Sequence, residues 1–130
     1  MKVWAGRILS GLTVLFLLWD GVMKMMRPPV VLESWERLGY AQSVSVGIGL
    51  LELICVAVYA FPPTSVLGSI LMTGFLGGAV ATHVRVGDPL FTHVLFPTYI
   101  GALLWLGLYL RDDRLRTLVP LRKQQAGTIP

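Results

Sequence analysis

The chain has 130 residues, of which 55% are hydrophobic and only 14% are charged. Soluble domains carry about 25% charged residues, so this chain has too few charges to cover a water-exposed surface. The apolar excess predicts contact with lipid. The formal net charge is +4. Because the basic residues lie at the ends of apolar segments rather than along one face, nucleic acid is not an expected partner.

Four continuous apolar segments follow one another, at about residues 8–26, 43–61, 66–84 and 90–110. Each has close to the roughly 20 residues that a helix needs to cross the hydrocarbon of a bilayer. None alternates between apolar and polar residues as a transmembrane strand would. The pattern predicts an all-α, polytopic membrane protein: an antiparallel bundle of four transmembrane helices in one domain, residues 1–120. Residues 121–130 are predicted to form a flexible cytoplasmic tail.

The first segment begins after two basic residues, Lys2 and Arg7, as a secretory signal peptide would. No small-residue cleavage site follows at residues 20–23, and the apolar run continues beyond them. We therefore interpret this segment as a retained transmembrane helix.

A short helix is predicted between the first two spans, in the stretch VVLESWERLGYA, residues 30–41. Two prolines precede it, Gly39 suits its end, and its apolar residues share one helical face. This pattern is typical of a helix lying in the membrane interface, and an ordinary polar loop is the alternative.

The basic residues predict the orientation in the membrane. The N-terminus, the link at residues 62–65 and the C-terminal tail hold seven Lys and Arg residues, whereas the opposite side holds four. Basic residues accumulate on the cytoplasmic side, so both termini are expected in the cytoplasm. The absence of another targeting signal fits the inner (plasma) membrane of a bacterium or archaeon.

Small residues recur in TGFLGGAVAT, where Gly74, Gly78 and Ala81 fall on one stripe of the third span. Such stripes allow two helix backbones to approach closely. We expect this stripe to pack against neighbouring spans and make the third helix the central one of the bundle.

The polar residues of the spans gather in the outer half of the predicted bundle and at its midplane, and the inner half has almost none. Because an ionised side chain facing lipid is costly, these groups are expected to face the bundle interior and find partners there. The candidate ligand-binding residues are Asp20, Lys24, Glu52, His83 and Tyr99. No catalytic residue is identified, and the candidates for such a role are Glu52, Asp20 and Lys24.

Glu52 is the least expected of these residues, because it stands in the middle of the apolar stretch GIGLLELICVAVYAF, residues 47–61. Asp20 and Lys24 are four residues apart and can pair on one helix. Glu52 has no such partner in its own helix. It is either protonated, hydrogen-bonded to a group such as Tyr99, or paired across helices with Lys24 or a histidine.

The sequence indicates neither a metal nor a covalently attached cofactor. His83, His93 and Asp88 are close in sequence, but the ten-residue separation of the histidines lacks the helical spacing of metal ligands. Cys55 is the only cysteine, which excludes an internal disulfide. It is expected to be a buried small apolar residue.

Three stretches together resemble the DoxX-like family of small four-helix membrane proteins, over roughly residues 7–122. They are LFLLWDGVMKMMRPP, GLLELICVAVYAFPPTS and LGGAVATHVRVGDPLFTHVLFP, and the first contains a D-G-x-x-K step at Asp20 to Lys24. The resemblance implies a link to membrane redox complexes, because the family is named after a subunit associated with thiosulfate:quinone oxidoreduction. Since no flavin, haem or nicotinamide motif is present, a bound quinone or a partner subunit would carry any redox role.

Two functions of different classes are open. In the first, the polar residues bind a small apolar ligand with a polar head, such as a quinone, within a membrane redox system. In the second, the protein is a non-catalytic anchor or assembly subunit, whose basic tail contacts a partner protein or anionic lipid. The expected partners are the lipid bilayer and a membrane or redox protein, and the sequence leaves open whether the chain forms a homo-oligomer.

Overall fold

A computed structural model describes residues 1–120, and all the regular structure in this part of the chain is helical. The all-α prediction is confirmed. The predicted tail, residues 121–130, lies outside the described residues. In chain order the α-helices are α1 (Lys2–Met26), α2 (Pro29–Arg37), α3 (Val44–Ala60), α4 (Ser65–Arg85), α5 (Phe96–Arg111) and α6 (Asp113–Leu118).

Within residues 1–120, three helical stretches are long and apolar enough to cross a membrane: Lys2–Met26, Pro62–Arg85 and Leu90–Arg111. Helix α3 is also apolar but has 17 residues, close to the lower limit of about 17 for a spanning helix. Many large apolar side chains point outward from the helices, including Trp4, Leu15, Ile54 and Ile70. The chain is therefore a membrane protein whose helices contact the lipid bilayer.

Prolines and glycines explain where several helices begin and end. Helix α2 begins at Pro29, because proline fits the first turn of a helix, where its missing N–H is not needed. Gly39, with a φ of 81°, follows the end of α2. The fourth apolar segment is not a single α-helix: one turn of π-helix, Leu90–Val94, precedes α5. Pro97 in the first turn of α5 cannot donate a backbone hydrogen bond to the preceding turn.

The four long helices enclose one core. Helix α1 packs against α3 on one side and α5 on the other, and α4 packs against the same two helices. Ser10 meets Tyr59 near one end of α1 and α3, whereas Lys24 meets Ser45 near the other, so these helices run in opposite directions. The buried centre contains apolar side chains from all four helices, among them Leu17, Cys55, Val56, Met72 and Leu104.

The expected packing role of the small-residue stripe is wrong. A Cβ atom placed on Gly74 or Gly78 would meet nothing within 4 Å, so this stripe faces away from the other helices. The close approach of α4 is instead at Gly68, where a Cβ would collide with the backbone of Tyr59. Helix α4 is therefore not central. It occupies the position opposite α1, and its small residues form part of the outer surface.

Candidate functional site

Three of the predicted site residues form one cluster between α1 and α3. The Lys24 ammonium lies 2.6 Å from Oδ2 of Asp20 and 2.6 Å from Oε2 of Glu52. The exposed fraction of the side chain falls from 35% at Asp20 to 18% at Lys24 and 0% at Glu52. The cluster, which we call the polar triad, is thus accessible at Asp20 and closed at Glu52.

The opposite directions of α1 and α3 explain why Lys24 and Glu52 meet. Helical side chains lean toward the N-terminus of their own helix. Lys24 stands near the end of α1 and leans back along it, toward Asp20 one turn earlier. Glu52 stands in the middle of α3 and leans in the other direction, toward Lys24. The two charged ends therefore approach each other between the helices.

Two glycines bring the backbones of α1 and α3 together beside the triad. A Cβ on Gly49 would lie 2.8 Å from the carbonyl oxygen of Gly21, and one on Gly21 would lie 2.8 Å from Cδ2 of Leu53. The Ser45 hydroxyl also donates a hydrogen bond of 2.6 Å to the carbonyl oxygen of Lys24. Because the helices touch here, the Lys24 side chain spans the gap to Glu52 without leaving the interior.

The triad has unused hydrogen-bonding capacity. Within residues 1–120, Oε1 of Glu52 is buried and has no hydrogen-bond partner. Lys24 has three N–H donors, of which two are engaged by Asp20 and Glu52. Its ammonium also lies 5.3 Å from the centre of the Phe75 ring, on α4. The site therefore combines an acceptor, a cation with a remaining donor, and an aromatic face.

His83 belongs to a different cluster, in the turn between α4 and α5. Its Nδ1 lies 2.5 Å from Oδ2 of Asp88, and Nη1 of Arg37 lies 2.6 Å from Oδ1 of the same carboxylate. The hydrogen bonds from Arg37 and His83 lower the pKa of Asp88 to about 2. The rings of His83 and His93 are 6.0 Å apart. Nowhere in residues 1–120 are three or more His, Cys, Asp or Glu residues grouped so that they would hold a metal ion.

The Asp88 cluster also holds α2 against the end of α4. Besides the pair between Arg37 and Asp88, the Arg85 guanidinium donates to the carbonyl oxygen of Leu38. The Tyr40 ring packs edge-on against Trp35, at 5.5 Å between ring centres. The two arginine contacts join residues about 50 positions apart, and neither residue spacing nor hydropathy indicated them.

Tyr99 is not in contact with Glu52. Its side chain is on the outside of α5, and its hydroxyl donates a hydrogen bond of 3.1 Å to the carbonyl oxygen of Phe91. Of the alternatives for Glu52, the structure contains the pair with Lys24. Cys55 is buried, as expected from its apolar surroundings.

A second buried polar cluster lies at the other end of α1 and α3, and the sequence did not reveal it. We call it the hydroxyl cluster; it consists of Ser10, Tyr59 and Arg111. Ser10 and Tyr59 share a hydrogen bond of 2.8 Å, and the Tyr59 hydroxyl donates to the carbonyl oxygen of Leu104 at 2.9 Å. Arg111 donates to Ser10 at 3.1 Å. The expectation that this half of the protein has almost no interior polar groups is therefore wrong. Since hydroxyl groups are tolerated in apolar segments when they find partners, composition gave no sign of the cluster.

Long apolar helices that enclose a buried ion pair define a multi-pass helical membrane protein. A family model described as the DoxX-like family matches residues 8–107. The chain belongs to the DoxX-like family, which confirms the resemblance seen in its sequence. Neither a curated protein nor a solved structure matches the chain.

Proposed function

We propose that α1, α3, α4 and α5 are four antiparallel transmembrane spans, with α2 in the outer interface. Helix α3 packs along α1 and α4, both long enough to cross a bilayer, and its 17 residues suffice for a short span. The excess of basic residues at the end that carries both termini supports a cytoplasmic location for that end. We place the chain in the inner (plasma) membrane, whose multi-pass proteins carry their excess of basic residues on the cytoplasmic side.

Within this bundle, we propose that the polar triad binds the head of a small apolar ligand of the quinone or quinol class. The observation that carries the proposal is the buried, unpartnered Oε1 of Glu52. An unsatisfied buried polar atom costs about 1–3 kcal/mol, and more if it is charged. Since the triad is open only at Asp20, a ligand hydroxyl would have to enter from that side and displace the side chains that cover Glu52. Its hydrogen bond to Oε1 would then remove this cost.

The chemistry of the triad fits such a head group. A quinol brings hydroxyl donors for Oε1 of Glu52, and a quinone brings carbonyl acceptors for the free N–H of Lys24. The Phe75 ring offers an apolar face beside the ammonium. A bound quinone would supply redox chemistry to the site. Glu52 would accept the hydroxyl hydrogen at Oε1, and Lys24 would hold its carboxylate in position through Oε2.

His83 and Tyr99 are not needed for this proposal. His83 is engaged by Asp88, and Tyr99 by the Phe91 carbonyl on the outer surface of α5. The proposed head-group site is therefore confined to Asp20, Lys24 and Glu52.

The test is the affinity of a short-tail quinone and its quinol for the protein in lipid nanodiscs, for wild type and Glu52→Gln. A hydrogen bond to a charged group is worth about 1.5–3 kcal/mol, so we expect quinol affinity to fall by about ten-fold or more. The matched control is Glu33→Gln, which makes the same change at an exposed position of α2.

Equal quinol affinity in wild type and Glu52→Gln would contradict the proposal and favour the alternative of a non-catalytic anchor. That alternative predicts a stoichiometric partner that co-purifies with the protein and is lost when residues 111–130 are removed. A folded Glu52→Gln protein, judged by helix content and a single species in detergent, is required for the comparison.

A further inference from the structure

The guanidinium of Arg111, the last residue of α5, lies between the ends of three other helices. Its Nε donates to the Ser10 hydroxyl on α1 at 3.1 Å, and Nη2 is 3.5 Å from the Ser65 hydroxyl on α4. Its central carbon lies 5.5 Å from the centre of the Tyr59 ring on α3. These partners are all uncharged.

No acidic side chain balances the charge of Arg111. Among residues 1–120 no carboxylate lies within 4.0 Å of it, and residues 121–130 contain neither Asp nor Glu. Arg111 is partly buried, and a cation that is partly withdrawn from water in a membrane protein is normally paired with an anion. The carboxylates are engaged by other groups or lie on α2. Asp112, the next residue, accepts from the backbone N–H groups of Arg114 and Leu115. The others are Asp20 and Glu52 on Lys24, Asp88 on Arg37, Asp113 on Arg116, and Glu33 and Glu36 on α2.

The surroundings of Arg111 suit a phosphate group at a membrane surface. A Cβ on Gly6 would lie 3.0 Å from Cβ of Arg111, so the start of α1, with Arg7, adjoins this end of α5. Arg7 packs over the exposed Trp4 ring, an aromatic residue of the kind found at membrane interfaces. An arginine fork matches the oxygens of a phosphate, whereas a hydroxyl or a ring leaves its charge uncompensated.

We propose that Arg111 is the centre of a phosphate-binding site, occupied by the headgroup of an anionic phospholipid at the end of the protein that carries both termini. The Ser10 and Ser65 hydroxyls and the Tyr59 ring orient the guanidinium, and the lipid phosphate supplies the missing negative charge. A free phosphate ion has the same chemistry, and the experiment separates the two sources.

The experiment compares the thermal unfolding of the full chain in detergent as phosphatidylglycerol, phosphatidylcholine or inorganic phosphate is added. We expect phosphatidylglycerol to raise the unfolding temperature of the wild type more than phosphatidylcholine does, and high salt to reduce the difference. Arg111→Gln is expected to weaken the apparent affinity for phosphatidylglycerol by at least about five-fold, the factor for roughly 1 kcal/mol per basic residue near an anionic surface.

The matched control is Arg27→Gln, which removes one positive charge at the opposite end of α1 and is expected to leave the affinity unchanged. Because Arg111 also contacts Ser10, its substitution lowers stability without lipid, and the readout is therefore the lipid-dependent shift. If Arg111→Gln does not fold, Arg111→Lys is measured in its place. This variant keeps the charge and loses the fork, so it should retain only part of the lipid effect.

Protection by inorganic phosphate alone, lost in Arg111→Gln, would support the site and identify a free ion as its ligand. The proposal is overturned if Arg111→Gln responds to phosphatidylglycerol as the wild type does. It is also overturned if the wild type responds equally to the two lipids and not at all to phosphate.

Discussion

The two buried polar clusters occupy the same pair of helices but differ in chemistry. In the polar triad, Lys24 joins two carboxylates, and Oε1 of Glu52 is left without a partner in residues 1–120. Two turns further along α3, the Tyr59 hydroxyl is bonded both to Ser10 and to a backbone carbonyl. The hydroxyl cluster uses its bonding capacity to join helices, whereas the triad keeps some of it free. This difference is why we assign the quinone head group to the triad, whereas the phosphate site proposed at Arg111 lies where the other cluster reaches the end of α5.

Lys24→Met tests the charged side of this comparison and should have the largest effect. It leaves the carboxylate of Glu52 buried without a cation, and removing one partner of a buried ion pair costs about 3–5 kcal/mol. We expect the free energy of unfolding in mixed micelles to fall by about that amount. Lys2→Met, at an exposed position, is the control and should change it by less than about 0.5 kcal/mol. Equal stability of the two variants would mean that Lys24 does not hold Glu52.

Gly49→Ala sharpens the comparison, because it disturbs the contact between α1 and α3 beside the triad and leaves the charged side chains in place. The added Cβ would stand 2.8 Å from the Gly21 carbonyl oxygen, and such overpacking costs about 1–3 kcal/mol. Gly78→Ala is the matched control, because its Cβ would enter open space. It should be neutral or stabilise the helix by up to about 1 kcal/mol. Thermal unfolding of both variants would check the opposite signs, and a larger loss for Gly78→Ala would restore the stripe as the packing face.

Tyr59→Phe tests the hydroxyl cluster. The change removes two hydrogen bonds and leaves the ring in place, so we expect a loss of about 1 kcal/mol in the free energy of unfolding. Quinol binding should be unaffected, since the triad is intact. Tyr109→Phe serves as the control, because within residues 1–120 its hydroxyl has no hydrogen-bond partner. An effect of Tyr59→Phe on quinol affinity as large as that of Glu52→Gln would remove the distinction between the clusters.

Asp88→Asn extends the comparison to an ion pair outside the spans and should have the smallest effect. Arg37 and His83 hold the pKa of Asp88 at about 2, below its ordinary value of 3.8. The ion pair therefore contributes stability above about pH 5, and this contribution is lost as the pH falls from about 4 to 2. The measurement is the difference in unfolding temperature between wild type and Asp88→Asn across that range. A difference that stays constant down to pH 2 would contradict the role of Asp88.

The helical class, the approximate helix positions and the pairing of Asp20 with Lys24 could be predicted, because each depends on local spacing. The partner of Glu52 could not be chosen. It depends on the rotation of α1 against α3, which Gly21 and Gly49 set by contact between separate helices. The hydroxyl cluster joins Ser10, Tyr59 and Arg111 across about 50 to 100 positions, and local spacing gives no sign of such contacts.

The error at Gly74 and Gly78 has a physical cause. In water, the apolar face of a helix points to the core, but lipid is as apolar as the core. The sequence therefore identifies a stripe of small residues on a helix, but it does not tell whether that stripe faces a neighbouring helix or the lipid. Helix α4 illustrates this, since three of its five buried residues, Ser65, Gly68 and Ser69, are small or polar, whereas Leu67 and Ile70 face outward.

The most direct test of the account is a double-mutant cycle on the free energy of unfolding, with Lys24→Met, Glu52→Gln and the double variant. If the ammonium of α1 holds the buried carboxylate of α3, Glu52→Gln should rescue much of the loss caused by Lys24→Met, with a coupling energy above about 1 kcal/mol. If the two effects simply add, Lys24 and Glu52 do not meet, and the proposed ligand site does not exist.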